Sequence, residues 1–407
     1  MRVFIAKVIY QIVVGSYHFF IGFFSLFNEK AYKFSKGRIN QEVPYYKEKT
    51  LWFHCASLGE FEQAKPLMDW CYRHLDYPII LTFFSPSGYT YKNNYSLARA
   101  VYYLPKDNPR NSKEFIKKIN PQAAFFIKYE FWFFYLQELK QHHIPHFLVA
   151  GIFRPKQIFF KPHGILHRIM LQSFTHLFVQ DEDSLNLLAK QGLKNVSIAF
   201  DTRFDTVMQI SKLNFRNEVL EKFKNGQQTL IVGSSWPKDE ALIKQLLDKH
   251  KDLKVILAPH DVNPHRISEI KHSFPKAALL SEPNISESTS VLVIDNVGKL
   301  SLIYRYADIC YVGGGFGVSV HNVLEAAVYG KALIYGPNHS KSKEALDLVT
   351  LEAAQVVNNE TDLNNAISKL QDTNVYQKAC EQAKRYVELR TGGTVEVMTM
   401  LKESKYI

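Results

Sequence analysis

The feature that most constrains the fold of this chain is a double series of short apolar runs, each followed by a longer polar or amphipathic segment. Short runs of this kind are typical of buried parallel strands that alternate with helices. The first series occupies 51–55, 79–83, 123–127, 146–150 and 176–179, and the second occupies 229–232, 255–257, 291–294, 309–312 and 332–334. Two successive series predict an α/β protein with two doubly wound, Rossmann-like domains.

The length of the chain also favours two domains. Single hydrophobic cores stop growing at roughly 250–300 residues, and this chain has 407 residues, 46% of them hydrophobic. Between 205 and 228 the pattern becomes polar and helical without a strand, so we predict domains at 31–208 and 209–407, after an N-terminal segment at 1–30. Open α/β sheets bind ligands at the carboxyl ends of their strands. We therefore expect the domains to face a cleft lined by the loops after the strands.

The N-terminal segment is predicted to attach the protein to a membrane. Residues 8–27 contain no charged side chain, and a helix of that length reaches about 30 Å, the thickness of a bilayer core. Its aromatic residues would suit a helix lying in the interface equally well, so spanning and lying both remain open. A signal peptide is disfavoured because its apolar region is usually only about 7–15 residues long. Lys30, Lys33, Lys36 and Arg38 follow, which predicts an inner-membrane protein with its body in the cytoplasm, whereas a buried helix would leave this basic flank unexplained.

The charge of the chain is concentrated in its first half. Residues 1–205 contain 26 Lys+Arg and 16 Asp+Glu, a net of +10, whereas 206–407 contain 24 and 23, a net of +1. The first half also holds 42 of the 55 aromatic residues, which suggests a partner that is both anionic and apolar, such as a phosphorylated lipid at a membrane surface. Nucleic acid is disfavoured because no nucleic-acid-binding motif accompanies the charge. The four cysteines are widely spaced, which disfavours a disulfide framework and a structural zinc site.

Two glutamates follow strands of the first series. Glu60 ends a Ser-x-Gly-Glu turn after 51–55, and Glu130 follows 123–127 directly before an aromatic stretch. A carboxylate at a strand's carboxyl end suits a general base for a sugar hydroxyl. The structural alternatives are a capping box between Ser57 and Glu60 and an ordinary acidic helix start at Glu130.

The second series carries small residues that fit a nucleotide phosphate. Gly233, Ser234 and Ser235 end one strand and turn toward a helix, which exposes backbone N–H groups to an anion. A second glycine run, Gly313-Gly314-Gly315, follows a later strand. Neither matches a P-loop or a dinucleotide fingerprint, and a purely structural glycine turn is the alternative.

Asn322 and Glu325 follow the second glycine run, three residues apart. On a helix this spacing places both side chains on one face. A carboxylate beside an amide there would suit the hydroxyls of a ribose, so we predict that this pair binds the sugar of a nucleotide.

Taken together, these motifs resemble the Kdo transferases, the glycosyltransferases of 3-deoxy-D-manno-oct-2-ulosonic acid (Kdo). In that family the Ser-x-Gly-Glu glutamate is the catalytic base, which falls here on Glu60, and the glutamate before an aromatic-tryptophan pair, here Glu130, stabilises the transition state. A lysine in a Gly-Asn-x-Lys-Phe-Asp motif shares that role. Its place is taken by Arg203 in 200–205, where the glycine is also lost, and arginine keeps the charge but not the geometry.

The same resemblance implies the residues that bind the donor nucleotide. The family's Pro-Arg pair corresponds to Pro259-His260 here. Its Gly-x-Leu segment corresponds to Gly298-Lys299-Leu300, and its Asn-x-x-Glu run to Asn322-Val323-Leu324-Glu325. His260 replaces the family's arginine, which leaves Arg266 or Lys299 as candidate phosphate partners.

The resemblance implies a GT-B architecture and inverting transfer of Kdo from CMP-Kdo to a phosphorylated lipid A precursor of the lipid IVA type. It implies neither a metal nor a cofactor other than the donor, and the chain has no Asp-x-Asp pair for magnesium. Two alternatives remain: another GT-B transferase that uses a UDP-sugar and a lipid acceptor, and a non-catalytic lipid-binding protein that would tolerate the loss of Glu60.

Overall fold

The computed structural model describes residues 1–39, 41–286, 288–296 and 298–407. It divides into two compact units, which we call unit 1 (1–205 with 392–407) and unit 2 (206–391). Each unit contains a seven-stranded sheet whose neighbouring strands run parallel. The predicted α/β class with two parallel sheets is therefore confirmed.

Unit 1 is a doubly wound sheet with helices on both faces. Its strands are β1 (Thr50–Cys55), β2 (Ile79–Phe83), β3 (Ala100–Tyr103), β4 (Pro121–Ile127), β5 (His146–Gly151), β6 (His176–Val179) and β7 (Val196–Ile198), in the order β3-β2-β1-β4-β5-β6-β7. Its helices are α1 (Arg2–Phe24), α2 (Glu29–Ile39), α3 (Leu58–His74), α4 (Pro86–Lys92), α5 (Pro109–Ile119), α6 (Phe133–Gln141), α7 (Ile165–Leu171) and α8 (Glu182–Ala189). The chain passes into unit 2 within α9 (Arg203–Ser211).

The central strands of unit 1 are buried on both faces. Successive side chains of a strand point to opposite faces, and β1 accordingly sends Phe53 into one core and Trp52 into the other. Phe53 stacks on Phe125 of β4 with ring centroids 4.5 Å apart, and Trp52 meets the edge of Phe126 at 5.1 Å. Strands buried on both faces read as continuous apolar runs, which is why the sequence reveals them.

Unit 2 repeats this plan with its own core. Its strands are β8 (Thr229–Ser235), β9 (Lys254–Pro259), β10 (Ala278–Leu279), β11 (Val291–Val293), β12 (Ile309–Val312), β13 (Ala332–Tyr335) and β14 (Ala354–Val356), in the order β10-β11-β9-β8-β12-β13-β14. Its helices are α10 (Glu218–Lys224), α11 (Pro237–Lys249), α12 (Pro264–Ser273), α13 (Leu300–Ile303), α14 (Leu324–Ala327), α15 (Lys343–Thr350), α16 (Glu360–Lys369) and α17 (Thr373–Glu388).

The last helix, α18 (Gly393–Glu403), belongs to unit 1 and not to the second domain predicted at 209–407. Its buried side chains Val397, Met398 and Leu401 join the core beneath α3. The carboxylate of Asp205 holds its first turn, because it accepts hydrogen bonds from Gly392 N at 2.6 Å and Thr394 N at 2.7 Å. The apolar face of α18 completes a core that is distant in sequence, so the corrected second unit ends at 391.

Helix α1 packs along unit 1 through one face. Its half-buried positions recur every three or four residues along the whole helix: Val3, Ala6, Lys7, Tyr10, Val14, Gly15, His18, Ile21 and Gly22. The Tyr17 ring stacks on Phe84 with centroids 6.0 Å apart, and the Tyr10 ring meets Phe133 at 5.9 Å. The opposite face is apolar and exposed: Phe4, Ile5, Val8, Ile9, Ile12, Val13, Phe19, Phe20, Phe23 and Phe24. Within the described residues, Val3–Phe24 is the one segment long and apolar enough to cross a membrane.

The basic flank after α1 is only partly available to a membrane. Lys33 and Lys36 are exposed, but Arg38 turns inward: its guanidinium donates to the carbonyl oxygens of Leu104 at 3.1 Å and Phe34 at 2.8 Å and lies 3.7 Å from the centre of the Phe34 ring. Arg38 is therefore engaged within the fold, unlike the exposed Lys33 and Lys36. The side chain of Lys30 lies outside the described part of the structure.

Candidate functional site

The two predicted glutamates of unit 1 meet at one edge of its sheet. Strands β1 and β4 are parallel neighbours, so their carboxyl ends lie side by side, and Glu60 and Glu130 follow these ends. Burial and then the negative charges of Glu60 and Glu130 raise the pKa of the Cys55 thiol, the last residue of β1. Both carboxylates therefore lie close to the same point of the sheet.

Glu60 lies in the first turn of α3 and is half-buried. Its carboxylate accepts a hydrogen bond from Ser57 Oγ at 2.5 Å, and Ser57 Oγ in turn accepts one from Gly59 N at 3.3 Å. Ser57 therefore caps the helix through Gly59 N and donates to Glu60, which differs from the reciprocal capping box expected as the structural alternative. It occupies Oε2 and leaves the carboxylate partly open to solvent, so capping and catalysis are compatible at this residue.

Glu130 lies in a different environment, since it is nearly buried and held by nitrogen donors. Its Oε2 lies 2.8 Å from His54 Nε2 and 2.8 Å from Trp132 Nε1. The turn that delivers it begins at Lys128, whose φ of 69° is left-handed and therefore strained for a residue with a side chain. Glu130 is therefore held in a fixed position by residues of β1 and of its own turn, rather than serving as an ordinary helix-start acid.

His54 is a site residue that the sequence motifs did not predict. It is fully buried on β1, and its Nδ1 lies 2.8 Å from Thr82 Oγ1 on β2. The available signal was a titratable side chain inside an apolar strand, because buried polar groups require partners. His54, Thr82 and Trp132 therefore join Glu130 in one buried polar cluster.

Arg203 begins α9 and is tied to the neighbouring Asp201. Its Nε and Nη2 lie 3.0 and 2.7 Å from Asp201 Oδ2, and Gln63 of α3 donates to the same oxygen at 2.7 Å. Despite burial, which alone would raise it, the pKa of Asp201 is lowered by the Arg203 charge and hydrogen bonds. The acid and base that replace the family's Asn and Lys thus form an ion pair, so Arg203 presents a partly compensated charge.

The glycine-rich turns of unit 2 bring three backbone segments together. Strand β8 ends in Gly233, Ser234 and Ser235, and Ser234 has a left-handed φ of 52°. A Cβ on Gly313 would lie 2.3 Å from Ser234 O, and one on Gly315 would lie 2.6 Å from Gly336 N. Only glycine permits these approaches, which place β8, β12 and β13 in backbone contact at their carboxyl ends.

One buried carboxylate, that of Asp239, holds the backbone of this region in place. Asp239 is buried, and burial raises its pKa; it accepts hydrogen bonds from Tyr311 Oη at 2.8 Å, Trp236 N at 2.9 Å and Gly314 N at 3.2 Å. Because the last donor belongs to the glycine run itself, whose Gly314 has a φ of 89°, Asp239 fixes the conformation of that run.

Asn322 and Glu325 lie directly beside the glycine run and contact each other. Asn322 Nδ2 donates to Glu325 Oε1 at 3.0 Å, and Asn322 Oδ1 accepts from Leu324 N at 3.2 Å. Asn322 thus precedes α14 instead of lying within it, while Val323 and Leu324 are buried and fix its position. The pair presents an amide and a carboxylate in one place, but the predicted shared helix face is wrong, because only Glu325 lies within α14.

The Pro259-His260 pair lies at the end of β9, and His260 joins an aromatic stack. Its ring lies 4.6 Å from that of Trp236 and 4.7 Å from that of His321, with interplanar angles of 21° and 20°. Burial and then His260 lower the pKa of His321. The replacement of the family's arginine therefore gives a stacked aromatic surface at this strand end.

The two proposed substitutes for that arginine differ. Arg266 is engaged by two carboxylates, because it pairs with Glu240 and lies 2.8 Å from Glu269. Lys299 is exposed and precedes α13, directly after Gly298, whose φ is 89°. Of the two, Lys299 is the cation open to a phosphate. Leu300 packs against the end of β8, since one of its methyl groups would lie 3.1 Å from a Cβ on Gly233.

Comparisons with known proteins agree with this arrangement. A family model described as 3-deoxy-D-manno-octulosonic-acid transferase (kdotransferase) matches residues 29–206. The chain is 26% identical over 393 residues to the 3-deoxy-D-manno-octulosonic acid transferase of Chlamydia trachomatis serovar D, covering 90% of this chain and 89% of that protein. It is 26% identical over 327 residues to that of Aquifex aeolicus, covering 79% and 85%.

Solved structures show the same fold at low identity. UDP-GlcNAc 2-epimerase from Neisseria meningitidis aligns with a TM-score of 0.61 and 14% identity over 87% of this chain and 100% of its own. MurG from Acinetobacter baumannii aligns with a TM-score of 0.57 and 11% identity over 87% and 99%. This likeness concerns the GT-B-like fold alone, whereas the family model and the sequence relatives concern the enzyme class. Residues 29–206 thus match the Kdo transferase family model, and most of the chain is similar to 3-deoxy-D-manno-octulosonic acid transferases at about a quarter identity.

Proposed function

We propose that this enzyme transfers Kdo from CMP-Kdo to a phosphorylated lipid A precursor of the lipid IVA type, with inversion and without a metal or another cofactor. The observation that carries the proposal is the pair of carboxylates, Glu60 and Glu130, at the joined carboxyl ends of β1 and β4. They lie in the part of the chain that the family model matches.

The different surroundings of the two carboxylates support different roles. The half-exposed Glu60 is the general base: the acceptor hydroxyl attacks C2 of Kdo while Glu60 takes its proton. The bond between C2 and the phosphate oxygen breaks, and CMP leaves with the electron pair. Positive charge that develops on the sugar in this step is offset by the fixed carboxylate of Glu130, because a preorganised charge needs no rearrangement during the reaction. Arg203, paired with Asp201, supplies positive charge for the anionic reactants.

Unit 2 is proposed to bind the CMP portion of the donor. Asn322 and Glu325 hold the ribose hydroxyls, and the backbone around Gly233–Ser235 and Gly313–Gly315 receives the phosphate. Lys299 contributes the positive charge that the family's arginine would supply at His260. Support comes from the close backbone approach of these segments and the direct contact between Asn322 and Glu325.

We further propose that the enzyme works at the cytoplasmic face of the inner membrane with α1 lying in the interface instead of spanning the bilayer. The half-buried face of α1 continues along its full length, and a helix packed on a protein along its whole length has no free length with which to cross a bilayer. Its other face exposes apolar side chains that a membrane surface would cover. No nucleic-acid partner is proposed.

Incubation with CMP-Kdo and a lipid IVA-type acceptor, followed by mass spectrometry of the lipid, tests the reaction. We expect a mass increase of one or more Kdo residues that persists in EDTA. Parallel reactions with UDP-sugars provide the comparison. A product formed from a UDP-sugar but not from CMP-Kdo would overturn the proposed donor, and a product that disappears in EDTA would overturn metal independence.

A further inference from the structure

His54 has no role in the proposed reaction, yet both of its ring nitrogens are engaged inside the protein. Its side chain is fully buried on β1. Nδ1 lies 2.8 Å from Thr82 Oγ1, and Nε2 lies 2.8 Å from Glu130 Oε2. An imidazole buried between a hydroxyl and a catalytic carboxylate connects the interior of the sheet to the site.

The neighbours of Thr82 define the direction of the hydrogen bonds. Trp52 Nε1 can only donate, and it lies 2.9 Å from Thr82 Oγ1. The Thr82 hydroxyl accepts this bond and has its own hydrogen to donate. His54 Nδ1, at 2.8 Å, is a better acceptor for it than the carbonyl oxygen of Phe53 at 3.4 Å. Nδ1 is then the acceptor and Nε2 carries the hydrogen, so the ring donates to Glu130. Trp132 Nε1 lies 2.9 Å from His54 Nε2 and 2.8 Å from Glu130 Oε2, and its hydrogen goes to the carboxylate because a protonated Nε2 has no lone pair to accept it.

This chain of donors fixes one oxygen of Glu130 and leaves the other available. Oε2 receives His54 Nε2 and also Trp132 Nε1, each at 2.8 Å. Across the described residues, no protein hydrogen bond reaches Oε1. The carboxylate is therefore held through one oxygen while the second is free to face a reactant.

We propose that His54 is a positioning residue for Glu130, and that Thr82 sets the tautomer in which His54 donates. The proposal rests on the proposed function of Glu130 in the transition state. A charge that stabilises a transition state must be held in place before the reaction, and a fixed donor on a central strand supplies this. The alternative is a core histidine with satisfied hydrogen bonds that contributes only to folding.

Four substitutions distinguish positioning from folding. His54→Leu removes the donor, whereas His54→Gln retains an N–H group that can reach Glu130. We expect kcat of His54→Leu to fall about 10- to 100-fold, the equivalent of one hydrogen bond to a charged group, with most of it restored in His54→Gln. KM for CMP-Kdo should change little. Thr82→Val should lower kcat because the tautomer is no longer set, whereas Thr82→Ser should not.

His146→Leu is the matched control. His146 is also a buried strand histidine, on β5, but its Nδ1 contacts the carbonyl oxygen of Ile144 at 2.8 Å and not a glutamate. It should leave kcat per folded molecule unchanged, with folding monitored by thermal unfolding and by CMP calorimetry. If His54→Leu lowered the melting temperature without lowering kcat, or if His54→Gln were as impaired as His54→Leu, the positioning role would be overturned.

A double-mutant cycle separates this inference from the proposed function. If His54 acts through Glu130, then adding His54→Leu to Glu130→Gln should cause little further loss of kcat. Independent, multiplying losses would overturn the positioning role while leaving Glu130 catalytic. Normal turnover in Glu130→Gln would instead remove Glu130 from the mechanism, and the inference would be rejected with it.

Discussion

Two glutamates at one sheet edge have different partners, and these partners suit different tasks. Glu60 receives a serine hydroxyl at the surface, whereas Glu130 receives two buried N–H donors. A base must exchange protons with a substrate, so partial exposure suits Glu60. An electrostatic stabiliser must stay fixed, and rigid support suits Glu130.

Glu60→Gln tests the assignment of the base. Glutamine keeps an acceptor for Ser57 but cannot take a proton, so turnover should fall about 10²–10⁴-fold while CMP affinity and melting temperature stay close to those of the unchanged protein. Glu62→Gln, two residues further along α3, is the control and should remain active. Turnover near the normal value in Glu60→Gln would show that another residue is the base.

Glu325→Ala tests the donor site of unit 2. Loss of the carboxylate removes one or two hydrogen bonds to the ribose, and a hydrogen bond involving a charged group is worth about 1.5–3 kcal/mol. Calorimetry should therefore show CMP binding weakened at least about tenfold. Glu352→Ala, at an exposed ion pair with Lys378, should bind CMP normally. Unchanged CMP affinity in a folded Glu325→Ala protein would exclude this carboxylate from the donor site.

Helix α1 is joined to the segment that follows Glu130 through Asp107. Asp107 is buried, accepts from Tyr10 Oη at 2.5 Å, and accepts from Phe134 N and Tyr135 N of α6, each at 3.2 Å. Since α6 follows directly after the Glu130 turn, one carboxylate ties α1 to the segment that carries Glu130.

This contact predicts a pH dependence of stability. Burial raises the pKa of Asp107 to about 6, above its value of roughly 3.9 in an unfolded chain. The folded state therefore binds the proton more tightly, so the stability contributed by this group is complete below about pH 4 and is lost as pH rises through about 6. Between those limits the contribution should fall by up to about 3 kcal/mol, at roughly 1.4 kcal/mol per pKa unit.

Asp107→Asn isolates this contribution because asparagine does not titrate. Denaturant unfolding of both proteins between pH 4.5 and 7.5 should show the original protein losing stability relative to the variant as pH rises. A difference between the two that does not change with pH would contradict the raised pKa.

Tryptophan reporters along α1 distinguish a helix that lies in the membrane interface from one that spans the bilayer. Single tryptophans at Ile5, Ile12 and Phe23 lie on the exposed face near the start, middle and end of the helix. Quenching by lipids brominated at known depths should place all three at a similar depth if the helix lies flat. A progression through the bilayer would contradict the interfacial position.

The positive charge of exposed lysines should contribute separately to the binding of the protein to a membrane. Replacing the exposed Lys33 and Lys36 by alanine should weaken binding to anionic vesicles by about 1 kcal/mol per lysine and reduce its salt sensitivity. Arg38 is unsuitable for this purpose because its guanidinium is half-buried and donates to backbone carbonyl groups of the fold.

At the level of the whole molecule, the apolar runs predicted the strands that are buried on both faces. Four strands were not predicted: β3 and β7 in unit 1, and β10 and β14 in unit 2. These are the edge strands of the two sheets. An edge strand pairs on one side only, so β3 and β7 are mostly half-buried and lack the continuous apolar pattern. The sequence could indicate the contact between Asn322 and Glu325, and the glycine turns, because the residues concerned are close together in the chain.

Local sequence thus determined the α/β class, the interior strands and the positions of both glutamates, because strand burial and turn chemistry act on neighbouring residues. Contacts between distant segments were decided only by the tertiary structure. The return of α18 to unit 1, the inward turn of Arg38 and the joining of His54 to Glu130 each unite residues more than 40 positions apart. Each depends on whether a buried polar or apolar group finds a partner elsewhere in the fold, and no local pattern specifies that partner.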